Sequence, residues 1–141
     1  MKTNKENKSE VVVIDATNGV VGRIASFAAK QALLGKDVNI VNCNKAILTG
    51  NQRSVIQEYY LTRKRGGSSL NGPFYPKQPQ KMMKRTVRGM LNYQQGRGLT
   101  AFKKIMCYDA LPKEFMDAKK ISFAKELRTT SITLEAVGKE I

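Results

Sequence analysis

Val11-Val12-Val13-Ile14 is an unbroken run of β-branched side chains. A strand with one wet face alternates apolar and polar residues. A continuous run fits a strand covered on both faces, as in a parallel sheet. Asp15-Ala16-Thr17-Asn18-Gly19 follows as turn chemistry. A helix is then predicted from Val21 or Gly22 to Leu34, with Ile24, Ala25, Phe27, Ala28, Ala32 and Leu34 on a wide apolar face. Gly35-Lys36-Asp37 stops it, with the glycine at the position after the cap. Val38-Asn39-Ile40-Val41-Asn42 reads as a second strand. Strand, helix and strand at this spacing make a right-handed βαβ unit, which commits the chain to an α/β fold around a parallel sheet.

The remaining pattern extends that unit. Ala46-Ile47-Leu48 lengthens the strand or adds another. Thr49-Gly50-Asn51 offers caps for a helix from Gln52 to Lys64, with Val55, Ile56, Tyr59 and Tyr60 on its inner side. Arg63-Lys64-Arg65-Gly66-Gly67-Ser68-Ser69 opens a long basic loop, and Pro73, Pro76 and Pro79 interrupt regular structure. A helix is expected over Lys81–Asn92, with room to run on toward Gly96. Gln94–Gly98 breaks the pattern, Leu99–Lys104 fits another helical turn or two, and Ile105-Met106-Cys107-Tyr108 is the last clear strand. Short helical patterns surround Phe115–Met116, Ile121–Leu127 and Leu134–Ile141. With 141 residues, the expectation is one domain over residues 11–141, preceded by a polar, flexible N-terminal arm over residues 1–10.

Charge then says what the domain meets. Lys81, Lys84, Arg85 and Arg88 fall at i, i+3, i+4 and i+7, which places four cations on one helix face. Met83, Val87, Met90 and Leu91 fall on the other and form the expected docking side. Like charges at helical spacing repel unless a polyanion lies across them. The whole chain carries +14, and from Arg53 to Lys104 there are twelve cations against the single acid Glu58. A charge serving solubility alone would be spread out. This concentration is the footprint of a phosphate-bearing partner, since neutralised phosphates release condensed counterions. Arg63, Lys64, Arg65, Lys77, Lys81, Lys84, Arg85, Arg88, Arg97, Lys103 and Lys104 are the expected phosphate contacts, with Gly66 and Gly67 letting backbone amides approach. A glycine- and proline-bearing basic loop suits a folded RNA, recognised by shape and backbone, better than a duplex groove.

Other functions find less support. There is no histidine, so the commonest general base and the Cys/His zinc sites are absent. Cys43 and Cys107 lie in apolar strand-like runs and read as buried free thiols, suited to a reducing cytoplasm. No 18-residue apolar run is present, so no membrane partner is expected. Gly19-Val20-Val21-Gly22 sits where an open parallel sheet would hold a nucleotide phosphate, but it is one glycine short of the dinucleotide fingerprint. The alternative is that glycine serves the tight turn and close packing. Leu48-Thr49-Gly50-Asn51 fits a plain cap or an anion site at a helix start. Tyr59, Tyr60, Tyr75 and Tyr93 fit either base stacking or packing.

An ordered set of motifs carries a resemblance. Asp15-Ala16-Thr17, Gly22-Arg23-Ile24-Ala25, Val38–Asn42, Leu48-Thr49-Gly50-Asn51, Gly72-Pro73 and Val87-Arg88-Gly89-Met90-Leu91 occur in sequence between Val11 and Pro112. Together they resemble the universal large-subunit ribosomal protein thirteen family, in its archaeal or eukaryotic form. The resemblance implies a three-layer α/β/α fold with a mostly parallel four-stranded sheet, bearing the basic loop and helix as an extension. It also implies a structural, non-enzymatic role: binding large-subunit ribosomal RNA beside neighbouring ribosomal proteins, and supporting early subunit assembly in the cytoplasm, with no cofactor or small-molecule substrate. Two departures stand out: Asn92-Tyr93 replaces the usual proline after Met-Leu, and Tyr108–Pro112 lacks a usual glycine. The competing functions are a nucleotide-binding α/β enzyme using the Gly19–Gly22 turn, and a free regulatory protein binding messenger RNA.

Overall fold

The structure, a computed structural model, describes residues 10–65 and 75–141. The arm up to residue 9 and the loop segment 66–74, with Gly66 and Gly67, lie outside the described residues. Strands β1 (Val11–Asp15), β2 (Asp37–Val41), β4 (Ile105–Cys107) and β5 (Lys120–Ser122) form a sheet of order β4-β2-β1-β5. Each of its three pairings is parallel. Val12, Val13 and Ile14 are all buried, so β1 is covered on both faces as its unbroken apolar run requires. A separate two-stranded antiparallel sheet joins β3 (Ile47–Thr49) to β6 (Ser131–Thr133).

Helix α1 (Val21–Leu33) connects β1 to β2, and its Ile24, Ala25, Ala28 and Ala32 enter the core. Small side chains there let α1 lie close to α3 (Pro79–Met90) and α4 (Gly96–Lys103), both of which it contacts. Gly35, at φ 92°, takes the left-handed position just past the α1 cap and donates its N–H to the Ala32 carbonyl. Leu34, expected on the apolar face, is instead 64% exposed, because the cap turns it off the end of the helix.

Helix α2 (Gln52–Lys64) starts at a plain side-chain cap: Asn51 Oδ1 accepts the Arg53 N–H at 3.0 Å. It has no buried residue. Val55, Ile56 and Tyr59 are half-buried, whereas Tyr60 faces outward, against the expectation that it lines the inner side.

Toward the C-terminus the expected Ile121–Leu127 helix is absent. Lys120–Ser122 is β5, paired in register with Val13–Asp15. Lys113–Phe115 forms a 3₁₀ turn, and α5 (Leu134–Glu140) starts where Thr133 Oγ1 accepts the Ala136 N–H. Cys43 lies in a 3₁₀ turn after β2 rather than in a strand, but both thiols are free and buried as expected. The neighbouring Cys107 thiol, together with burial, pushes the Cys43 thiol up, so Cys43 stays protonated.

Candidate nucleic-acid interface

The basic helix α3 is held at its start from two sides. Pro79 occupies the first turn, where its missing N–H is no loss. The next free N–H, that of Gln80, donates to the Asp109 carboxylate at 2.8 Å. This residue follows β4, so the cap fixes α3 to the end of the sheet. On the inner side Met82, Met83 and Val87 are buried, and Leu91 is buried just past the helix. Two details differ from expectation. Met82 joins the core, and Met90 is 45% exposed because α3 ends there and its last turn overhangs the packed part. The absent proline does not let the helix continue: Leu91 is already extended at φ −112°, ψ 148°.

The four outward cations are not alike. Lys81 is exposed. Lys84 leans toward α4, with its Nζ 5.1 Å from the ring centroid of Phe102. Arg85 leans the other way, its Cζ 4.3 Å from the Tyr75 centroid, and Arg88 Cζ lies 5.0 Å from that of Tyr93. At the end of α2, Lys64 Nζ lies 4.6 Å from the Tyr60 centroid, and Arg63 Nη1 donates to the Tyr75 carbonyl. Tyr75 also meets Tyr59 edge-on, at 5.3 Å and 88°. Burial first, then the neighbouring Tyr75 and Glu58, push the Tyr59 hydroxyl up to about 12, so it stays neutral.

Aromatic rings therefore hold Lys64, Lys84, Arg85 and Arg88 where carboxylates usually would. The ion pairs found among the described residues, Lys36–Glu10 and Lys139–Glu135, lie elsewhere. The distinction matters electrostatically. A ring's negative face attracts a cation and fixes its place without cancelling its charge. A guanidinium stacked by its flat face also keeps its N–H edge free for an oxyanion. The four tyrosines considered for base stacking are thus engaged within the chain. Phe102 was not foreseen, since only the packing of α4 brings it under Lys84.

The other expected contacts are more scattered. Arg65, Lys77 and Lys103 are exposed. Arg97 borders a groove with Lys30, Leu33, Leu34 and Met90, away from the Tyr75 cluster. Lys104 is engaged at the surface, its Nζ donating at 3.1 Å to the Gly35 carbonyl just past α1.

The first glycine of the turn after β1 is closely packed. A Cβ on Gly19 would stand 2.7 Å from Ile24 Cδ1 and 3.0 Å from Phe123 Cβ. Phe123 follows β5 and meets Phe27 edge-on at 5.2 Å, so side chains pack against the Gly19 end of the turn. Nearby, Asp15 Oδ1 accepts from the Thr17 N–H, the Thr17 hydroxyl and the Asn42 amide at 3.0, 2.7 and 3.1 Å. That network ties the turn to the end of β2. It is a structural use of that carboxylate oxygen.

A parallel α/β domain with a cationic helix face whose side chains rest on rings and not on acids defines a class: small basic α/β proteins. The chain matches the family model for ribosomal protein L13 over residues 9–114, and it belongs to that family. It is 41% identical over 115 residues to the large ribosomal subunit protein uL13 of Methanosarcina barkeri, covering 81% of each chain. It is 44% identical over 106 residues to that of Methanococcus maripaludis, covering 73% of this chain and 77% of the relative. The match to the Thermoplasma volcanium protein is longer, 37% over 133 residues, covering 92% and 96%. The family is one of ribosomal proteins and not of enzymes, which decides against the nucleotide-dependent alternative.

Proposed function

We propose that the chain is a structural constituent of the large ribosomal subunit in the cytoplasm, and that it binds ribosomal RNA through α3 and the C-terminal end of α2. The observation that carries this is the set of cations on α3 and α2 seated on aromatic rings instead of paired with acids. Their charge is held in place and left available, which costs stability in a free protein and is repaid only against phosphate. Bound across folded RNA, such a face offsets the repulsion between RNA segments brought together, the contribution a protein makes to early subunit assembly. Neighbouring ribosomal proteins complete the surroundings.

The test is binding of the full chain to purified large-subunit ribosomal RNA across a salt series. Log affinity should fall linearly with log salt, with a slope set by the phosphates neutralised. Changing Arg85 and Arg88 together to alanine should flatten that slope by about two, one phosphate for each residue. An unchanged slope would place the RNA elsewhere on the chain. Crosslinking in purified subunits would then locate the lysines in contact and the RNA segment they meet.

A further inference from the structure

We propose that Arg63 and Arg85 act as one preset phosphate clamp, built on Tyr75 as a shared post. It deepens the RNA-binding role proposed above and rests on it. Arg63 belongs to the last turn of α2, and Arg85 to the middle of α3. Tyr75 joins them: its carbonyl takes an N–H from Arg63, and its ring lies under Arg85. Tyr59, one turn before Arg63, braces the same ring edge-on. With no buried residue of its own, α2 depends on contacts of this kind to fix its C-terminal end.

The arrangement holds two guanidinium groups on one residue, and among the described residues no ion pair neutralises either. In a free protein this is a repulsive pairing. It becomes attractive when phosphodiester oxygens lie across both groups. Each still has donors to give. Arg63 commits Nη1 to the carbonyl, and Arg85 meets the ring with its Cζ 4.3 Å from the centroid. Because the ring restrains Arg85 before binding, less side-chain freedom is lost when a phosphate arrives. Tyr75 is thus a positioning residue. Its ring is occupied by Arg85 and Tyr59, so it fixes the spacing of backbone charges and does not read a base.

The experiment is a double-mutant cycle on the full chain, read as affinity for purified large-subunit ribosomal RNA. Tyr75→Leu should weaken binding about 3–10-fold with the salt slope unchanged, since the same phosphates are neutralised by less restrained groups. Tyr75→Phe should stay within about twofold of wild type, because it keeps the ring and the backbone carbonyl. In an Arg85→Ala background, Tyr75→Leu should add much less than it does alone. Wild-type affinity in Tyr75→Leu, full additivity in the cycle, or equal losses for Phe and Leu would overturn the clamp. Arg85→Lys keeps the charge but not the planar fork, so it covers the case in which Tyr75→Leu fails to fold. It should lose about 3–10-fold at unchanged slope, and wild-type affinity would overturn the proposal. Failure of the RNA-binding role itself looks different: the wild-type chain would show no salt-dependent binding at all. An acidic polypeptide competing for the site better than RNA would also overturn the clamp as a phosphate site.

Discussion

The Asp109 carboxylate accepts the backbone N–H of Gln80 at 2.8 Å, so the basic helix α3 is capped by a residue 29 positions away in sequence. Gln78, at the cap position itself, makes no side-chain cap. The negative charge also sits where a helix's partial positive charge lies. Asp109→Ala should therefore cost about 1 kcal/mol of stability, measured by urea unfolding. Asp109→Asn keeps an acceptor and should cost less. If both variants unfold like wild type, the cap contributes nothing to holding α3 on the sheet.

Gly98 is required by contact. A Cβ there would overlap the Asn92 carbonyl, where α4 abuts the turn leaving α3. The obstacle is backbone, which cannot swing aside as a side chain can. Gly98→Ala should destabilise by about 2 kcal/mol or more, whereas Gly96→Ala, in open space, should be near neutral. Equal melting temperatures for the two variants would contradict this packing.

The two sides of α3 are tested by paired substitutions. Val87 is fully buried in the core cluster, and an aspartate there would be an unpaired charge cut off from water. Val87→Asp should abolish cooperative folding. Met90→Asp, on the overhanging last turn, should shift stability by less than about 1 kcal/mol. Circular dichroism melts separate the outcomes, and a tolerated Val87→Asp would reverse the assignment of faces.

Asp15 links stability to acidity. Burial alone would push its carboxyl up, but hydrogen bonds from Thr17 and Asn42, with the Lys120 charge, hold it below the ordinary 3.8. A lowered folded value means the stabilisation is complete above 3.8 and is lost as pH falls through the folded value. Wild type should therefore lose melting temperature on acidification more steeply than Asp15→Asn, and the gap between them should close in strong acid. A constant gap down to pH 2 would show that protonation of Asp15 is not coupled to folding.

What could be read from the chain alone was what local chemistry decides. The first strand, α1 and the second strand follow from an unbroken β-branched run, a 3.6-residue apolar period and turn residues within one stretch. The span of α2 was legible for the same reason. The cation stripe of α3 was visible as a period, because charge at helical spacing needs no tertiary information. By contrast, Lys120-Ile121-Ser122 has no local strand signal: two of its three residues are polar and Ile121 is largely exposed. It is a strand because β1 offers a free edge in register. The ring seats were hidden similarly. Phe102 lies 18 positions from Lys84 and comes beside it only because α4 and α3 both pack against α1. The same packing of α4 against α1 decides that Lys104 turns to Gly35, a diversion that its place in a basic run does not reveal.

Gly89 is the position where stability and the proposed RNA binding would make opposite demands. It lies in the last turn of α3, exposed, between Arg88 and Met90 and one turn past Arg85. Its φ is not positive, and a Cβ there would meet nothing within 4 Å. Nothing in the described fold calls for glycine at this point, and glycine in a helix costs about 0.5–1 kcal/mol relative to alanine. Such a glycine beside two ring-seated arginines leaves the helix surface bare where an RNA backbone would come closest. Gly89→Ala should therefore act with opposite signs in two measurements. The free protein should melt about 2–3 °C higher, as its helix gains propensity. Affinity for large-subunit ribosomal RNA should fall, and Gly89→Leu should lower it further, while the salt slope stays the same because no cation has been removed. A variant that is both more stable and binds as tightly as wild type would show that the RNA does not approach this turn, and would move the interface toward the N-terminal half of α3 and the end of α2.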